Sequence, residues 1–172
     1  MVSEFLLVDG YNIINAWDNL KELAQFSMES ARQKLMDILC NYQGFQNITV
    51  IVVFDGYLVK GSTGTEHKYN NIFVVFTKEA ETADHYIERV LNNLPKDYRV
   101  RVATSDGLEQ IIVMGKGAVR ISAKELYREI MHVENTIRND YIENKPPKNN
   151  MLADHLDEET RQWMEQMRRS KR

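Results

Sequence analysis

A single cysteine, Cys40, excludes an intramolecular disulfide and any zinc site built on paired thiolates. It falls in an apolar helical pattern with Leu35, Ile38 and Leu39, the setting of a small buried hydrophobe rather than a catalytic thiol. Three prolines and eight glycines rule out collagen-like or linker-dominated architecture. No apolar run is long enough to cross a bilayer, and the run from Phe5 to Val8 follows no basic cluster. Neither a signal peptide nor a membrane partner is expected, and a reducing, cytoplasmic setting follows. An excess of positive charge is missing too. Against 25 Asp and Glu stand 22 Lys and Arg, a formal charge of −3, which excludes coating nucleic acid by bulk charge. A local basic patch or a metal-assisted site stays open.

What is present alternates between strand and helix patterns. Glu4 to Val8 and Ile48 to Phe54 are continuous apolar runs, suited to strands covered on both faces, and each stops at Asp-Gly. Asn71 to Phe76, Tyr98 to Ala103 and Ala118 to Ile121 read as further strands. Helices are expected over about Asn15–Phe26, Met28–Tyr42, Glu81–Leu94 and Leu108–Met114, the third with Ala83, Ile87, Val90, Leu91 and Leu94 on one stripe. Ser122 with Glu125 forms a capping box ahead of a long helix carrying Leu126, Ile130, Val133 and Ile137. The fold class is therefore α/β with a mainly parallel sheet. Pro146 and Pro147 interrupt the pattern, dividing a domain over 1–145 from a helical tail over 146–172 that carries Leu152, Leu156, Trp163 and Met167. That tail packs on the domain, forms a homodimer contact or meets rRNA; the sequence leaves the three open.

In an open α/β sheet, ligands bind beyond the carboxyl ends of the strands. The polar residues there are Asp9 and Asn12, then Asp55, then Thr104-Ser105-Asp106; Glu81, Asp84 and Glu88 share one face of the helix after the third strand. Carboxylates brought together repel and need a counter-charge, and hard oxygen donors favour Mg²⁺ or Mn²⁺. Such an ion activates water and stabilises charge developing at a phosphate. Asp55-Gly56 also reads as a plain turn, Ser105 or Asp106 as a helix cap, and Glu81 and Glu88 as a solvated helix face. Four histidines show neither HxH nor HExxH spacing, and Gly115-Lys116-Gly117 lacks the rest of a P-loop. Tyr11 stands where a haloacid-dehalogenase-type phosphatase would carry a second aspartate.

Five strings occur in order: Leu7-Val8-Asp9-Gly10-Tyr11-Asn12-Ile13-Ile14; Val53-Phe54-Asp55-Gly56; Glu81-Thr82-Ala83-Asp84-His85-Tyr86-Ile87-Glu88; Ala103-Thr104-Ser105-Asp106; and Arg120-Ile121-Ser122-Ala123-Lys124-Glu125-Leu126. Over about residues 4 to 130 the chain resembles the YacP-like NYN-domain family, a branch of the PIN-like nucleases. The resemblance implies a PIN-like three-layer α/β/α sandwich, a divalent-metal site and endoribonuclease activity, with bacterial members that associate with the ribosome and cut mRNA during translation. By motif it makes Asp9, Asp84 and Asp106 the acidic residues, Asn12 their polar companion, and Glu81 a further metal ligand. Ala80 departs from the Gly expected before Glu81, which bears on the loop there.

The stretch from Gly56 to Asn71 reads as a long loop carrying Tyr57, Lys60, His67, Lys68 and Tyr69. Cations interleaved with aromatics contact phosphates and stack on bases, so Lys60, His67, Lys68 and Tyr69 are candidate RNA or ribosome contacts; a solvated surface loop is the plainer reading. Two functions follow: a metal-dependent endoribonuclease, or a non-catalytic RNA- or ribosome-binding adaptor on the same fold.

Overall fold

Runs of β-branched and apolar residues flanked by helical stripes can bury both faces only in the middle layer of a sandwich. That is how this chain folds in a computed structural model, which describes residues 3–58, 63–144 and 158–169. Six strands, β1 (Glu4–Asp9), β2 (Thr49–Phe54), β3 (Thr63–Tyr69), β4 (Ile72–Lys78), β5 (Arg99–Ala103) and β6 (Val119–Ile121), form one sheet in the order β3-β4-β2-β1-β5-β6. Every pairing is parallel except β3 with β4. The helices are α1 (Gly10–Ala16), α2 (Asp18–Phe26), α3 (Met28–Gln46), α4 (Ala83–Asn93), α5 (Gly107–Gly115), α6 (Ala123–Glu143) and α7 (Glu158–Arg169).

Strand alternation divides the core in two. Leu6, Val8, Val50, Val52, Phe54, Ile72 and Val74 face one layer, with Ile13, Ile14, Leu35 and Leu39 of α1 and α3 and Leu126, Ile130 and Val133 of α6. Leu7, Val53, Val75, Val100 and Val102 face the other, with Ala83, Tyr86 and Ile87 of α4 and Val113 of α5. The result is the expected α/β/α sandwich. Two compact units divide the chain, Met1–Glu134 and Asn135–Arg172. In the second, α7 leaves Trp163 exposed. Lys60, Pro146, Pro147, Leu152 and Leu156 lie outside the described residues. Among those described, no helix is long and apolar enough to cross a membrane.

Two elements differ from the sequence reading. The stretch after Gly56 is not one long loop: Thr63–Tyr69 is an edge strand, joined to β4 through Asn70, which adopts left-handed backbone at φ 50°. Its residues are mostly exposed, so no apolar alternation betrays it. The first helix begins at Gly10 rather than Asn15, and Trp17 breaks it from α2 in extended backbone. The buried Trp17 ring turns inward, and its Nε1–H donates to the Ala123 carbonyl at 2.8 Å.

A partly buried ionic network lies on one face of the sheet. Arg101 on β5 donates to Glu129 of α6 at 2.9 Å and to the Tyr42 hydroxyl of α3 at 3.1 Å, while Tyr42 donates to Glu129 at 2.8 Å. Its Nε also lies 2.8 Å from Glu4, as an ion pair. Burial works against the Arg101 charge, but the Tyr42 and Glu129 bonds outweigh it and hold the guanidinium above its ordinary pKa. Glu129→Ala should therefore cost about 1 kcal/mol in urea denaturation, since it removes one carboxylate partner of a half-buried cation that keeps Glu4 and Tyr42. Adding Arg101→Met should restore part of that loss in a double-mutant cycle; simple additivity would show that the pair is not coupled.

Candidate active site

The chain leaves β1 toward β2 and β4 on one side, while β5 and β6 lie on the other, so the sheet's topological switch point falls at the carboxyl end of β1. Asp9 ends that strand and is only 8% exposed. It caps α1, with Oδ1 3.5 Å from the Asn12 amide, the outer limit of a hydrogen bond. Asn12 reaches across the switch point: its Oδ1 accepts from the Ser105 N–H at 2.6 Å. Its carbonyl thus ties the start of α1 to the β5–α5 connection. Thr104, fully buried at the end of β5, accepts the Asp106 N–H at 3.1 Å and fixes the backbone that presents the exposed Asp106.

The end of β4 is built the same way. Thr77, buried, accepts the Gly56 N–H at 2.8 Å and donates to the Glu81 carbonyl at 2.5 Å, joining the connections that follow β2 and β4. Thr82 then caps α4, accepting the His85 N–H at 3.3 Å. Asp84 sits half-buried in the first turn, where the helix dipole favours an anion. Neither threonine was singled out as a latch by the sequence reading. The signal available was a lone hydroxyl closing an otherwise apolar strand, Ile72 to Phe76 before Thr77.

The expected acids therefore share one rim, but not one point. Glu81 precedes α4 and pairs with Arg89 at 3.1 Å, so it stands off the helical face that Asp84 and Glu88 share at a spacing of four; Glu88 itself lies 3.8 Å from Lys116. The expected face loses Glu81 because α4 starts at Ala83, two residues later than the periodicity predicts. Asp55 forms an Asx turn with the Tyr57 N–H at 2.9 Å, the turn role anticipated for Asp55-Gly56. Among the described residues, no three His, Cys, Asp or Glu side chains gather closely enough to hold a metal ion. The donors are nonetheless of the right kind. Mg²⁺ commonly takes one or two carboxylates and completes its shell with water, which Asp9, Asp84 and Asp106 can supply without an all-protein cage. Asn12 has its carbonyl committed to Ser105.

The candidate RNA contacts separate. On β3, His67 opposite Val74 shares the α3 face with Tyr69, whereas Lys68 opposite Phe73 shares the α4 face with Glu66. The His67 ring stacks on Phe76 at 6.3 Å. Tyr69 donates to Asp37 at 2.8 Å and is bonded by Gln33; the Asp37 bond raises the phenol pKa. Across the strand, Tyr86 donates to Glu66 at 2.8 Å, and burial reinforced by Glu66 raises its pKa. Burial also raises that of Cys40, in keeping with an unreactive thiol.

A mainly parallel-sheet α/β/α sandwich with acidic residues following the carboxyl ends of its strands defines the class of the fold. The chain belongs to the YacP-like NYN-domain family, whose model matches residues 6–169. It is 48% identical over 139 residues to the protein YacP of Bacillus subtilis (strain 168), covering 78% of this chain and 79% of that one. Its fold matches the crystal structure of Rae1 (YacP) from Bacillus subtilis with a TM-score of 0.73 at 40% identity, covering 96% of this chain and 94% of the other. A mutant form of that protein gives 0.71 at 35% identity over 95% and 99% of the two chains. Family and fold together give the chain a nuclease-like architecture and an RNA-related function.

Proposed function

We propose that this protein is a metal-dependent endoribonuclease that cleaves mRNA in association with the ribosome. The observation that carries the reading is the placement of Asp9, Asp84 and Asp106 on three separate connections that all open onto one rim. A binder of phosphate alone gains nothing from acidic side chains there, because they repel the backbone it must hold. Asp9, Asp84 and Asp106, with Glu81 at the margin, would hold Mg²⁺ or Mn²⁺. When bound, the ion supplies charge stabilisation at the scissile phosphate and a more acidic water.

The chain's own residues prepare the place. Asn12 and Thr104 fix the loop that bears Asp106, and Thr77 and Thr82 fix the start of α4 that bears Asp84. Lys60, His67, Lys68 and Tyr69 serve as contacts to RNA or to the ribosome, with Lys68 on a different face of β3 from His67 and Tyr69. The spread of the acids along the rim is the one observation that favours the second reading, a non-catalytic adaptor.

Mapping of 5′ ends on bulk mRNA separates the two. With Mg²⁺ or Mn²⁺ and translating ribosomes, new ends should accumulate at least tenfold over background within translated regions, and chelator should abolish them. An adaptor would co-sediment with ribosomes and produce no new ends. Ends that persist in chelator would overturn the metal-dependent mechanism.

A further inference from the structure

Beside the acidic rim lies a cleft of about 450 Å³, within the range of small-ligand pockets, ~300–1,000 Å³. Its walls come from the α1–α2 break, Ser105 and the first turn of α6, which follow the carboxyl ends of β1, β5 and β6. It therefore opens on the same rim, at the residue next to Asp106. Two aromatic rings line it. The indole N–H of Trp17 is already committed to the Ala123 carbonyl, leaving the ring as an apolar wall. Tyr127 stands edge-on to it, with centroids 5.3 Å apart, and is 37% exposed. Asp18 and Lys124 also line the space, and their charges offset.

This combination selects a ligand class. With Asp18 and Lys124 offsetting each other, an anionic group gains no net attraction inside the cleft, and an aliphatic chain would gain nothing from Tyr127 that it would not find on any apolar surface. A flat, uncharged heteroaromatic ring can stack on the half-exposed phenol and bond to Ser105 or Lys124. Building on the nuclease reading, we propose that the cleft is a nucleobase subsite, holding an unpaired base of single-stranded RNA whose neighbouring phosphate lies at the acidic rim. Recognition of an unstacked base would let one cutting site discriminate loops and single strands from duplex, where bases are inaccessible to aromatic stacking.

The Trp17 indole N–H resonance of the full-length ¹⁵N-labelled chain reads occupancy directly, without catalysis. A tetranucleotide of RNA and, more weakly, uridine or adenosine 5′-monophosphate should shift it, and ribose 5-phosphate should not. Tyr127→Leu should weaken tetranucleotide binding about tenfold and raise KM for oligonucleotide cleavage similarly with kcat kept, while Tyr127→Phe retains both. The proposal fails if Trp17 stays unmoved at saturating RNA, if ribose phosphate shifts it equally, or if Tyr127→Leu binds as tightly. Tighter binding of the mononucleotide than of the tetranucleotide would also overturn it, in favour of a free-nucleotide pocket. Asp84→Asn should leave the Trp17 shift intact; a chain that binds base but never cleaves would refute the nuclease reading and spare the subsite.

Discussion

Asp84→Asn should lower RNA cleavage about a hundredfold or more while leaving the fold intact. The substitution keeps the size and shape of the side chain and removes only the charge that a divalent cation needs. Its structural cost is small: an acidic residue in the first turn of a helix contributes about 0.3–1 kcal/mol through the dipole, and Thr82 continues to cap α4. Asp9→Asn should behave alike, because asparagine caps a helix as well as aspartate does and the start of α1 survives. Asp55→Asn provides the control. That side chain is used in the turn to the Tyr57 amide, so activity should stay within about twofold of the parent. Single-turnover cleavage in Mg²⁺, with thermal melts on the same samples, checks all three. Full activity in both the Asp9 and Asp84 variants would refute the proposed site.

Gly10→Ala should destabilise the protein by about 3 kcal/mol, lowering Tm by roughly 6–12 °C. A Cβ built at Gly10 would meet the Phe54 ring at 2.4 Å, far inside contact distance. Phe54 cannot retreat, since it is fully buried and packed between Tyr11 and Phe76, with centroids 5.2 and 5.3 Å away. Either the ring leaves its stack or α1 lifts from the sheet, and the latter would carry Asp9 and Asn12 out of place. Gly115→Ala, where a Cβ meets nothing within 4 Å, should be neutral or slightly stabilising. Phe54→Leu added to Gly10→Ala should recover part of the loss. Equal melting of the Gly10 and Gly115 variants would contradict this account of the turn.

The residues that spell out the sheet are those that must be buried on both sides. Thr49 to Phe54 and Leu6 to Val8 are legible because a parallel strand between two helical layers has no face left for polar groups. Thr63–Tyr69 was not legible: one edge and much of its surface meet solvent, and its pairing depends on the backbone of Asn70. The early start of α1 was hidden for another reason. Glycine is a poor helix former, and the helix there is carried by burial of Tyr11, Ile13 and Ile14. At the site, carboxylates at strand ends could be read from their positions alone. The latches made by Thr77 to Gly56 and by Asn12 to Ser105 join residues far apart in sequence through backbone groups, which leave no mark on side-chain spacing.

β1 comes first in the chain yet sits inside the sheet, pairing with β2 on one edge and β5 on the other. As the polypeptide is synthesised, the first edge can be satisfied once Phe54 has emerged, but the second must wait for Ala103, and β6 closes that side only at Ile121. Until then Asn12 exists without the Ser105 amide that anchors its side chain. Contacts of such long sequence separation form late, after the chain between them has been ordered. The acidic rim therefore forms only after the chain has passed Ile121, and a nascent chain still short of that point carries the first motif without the site.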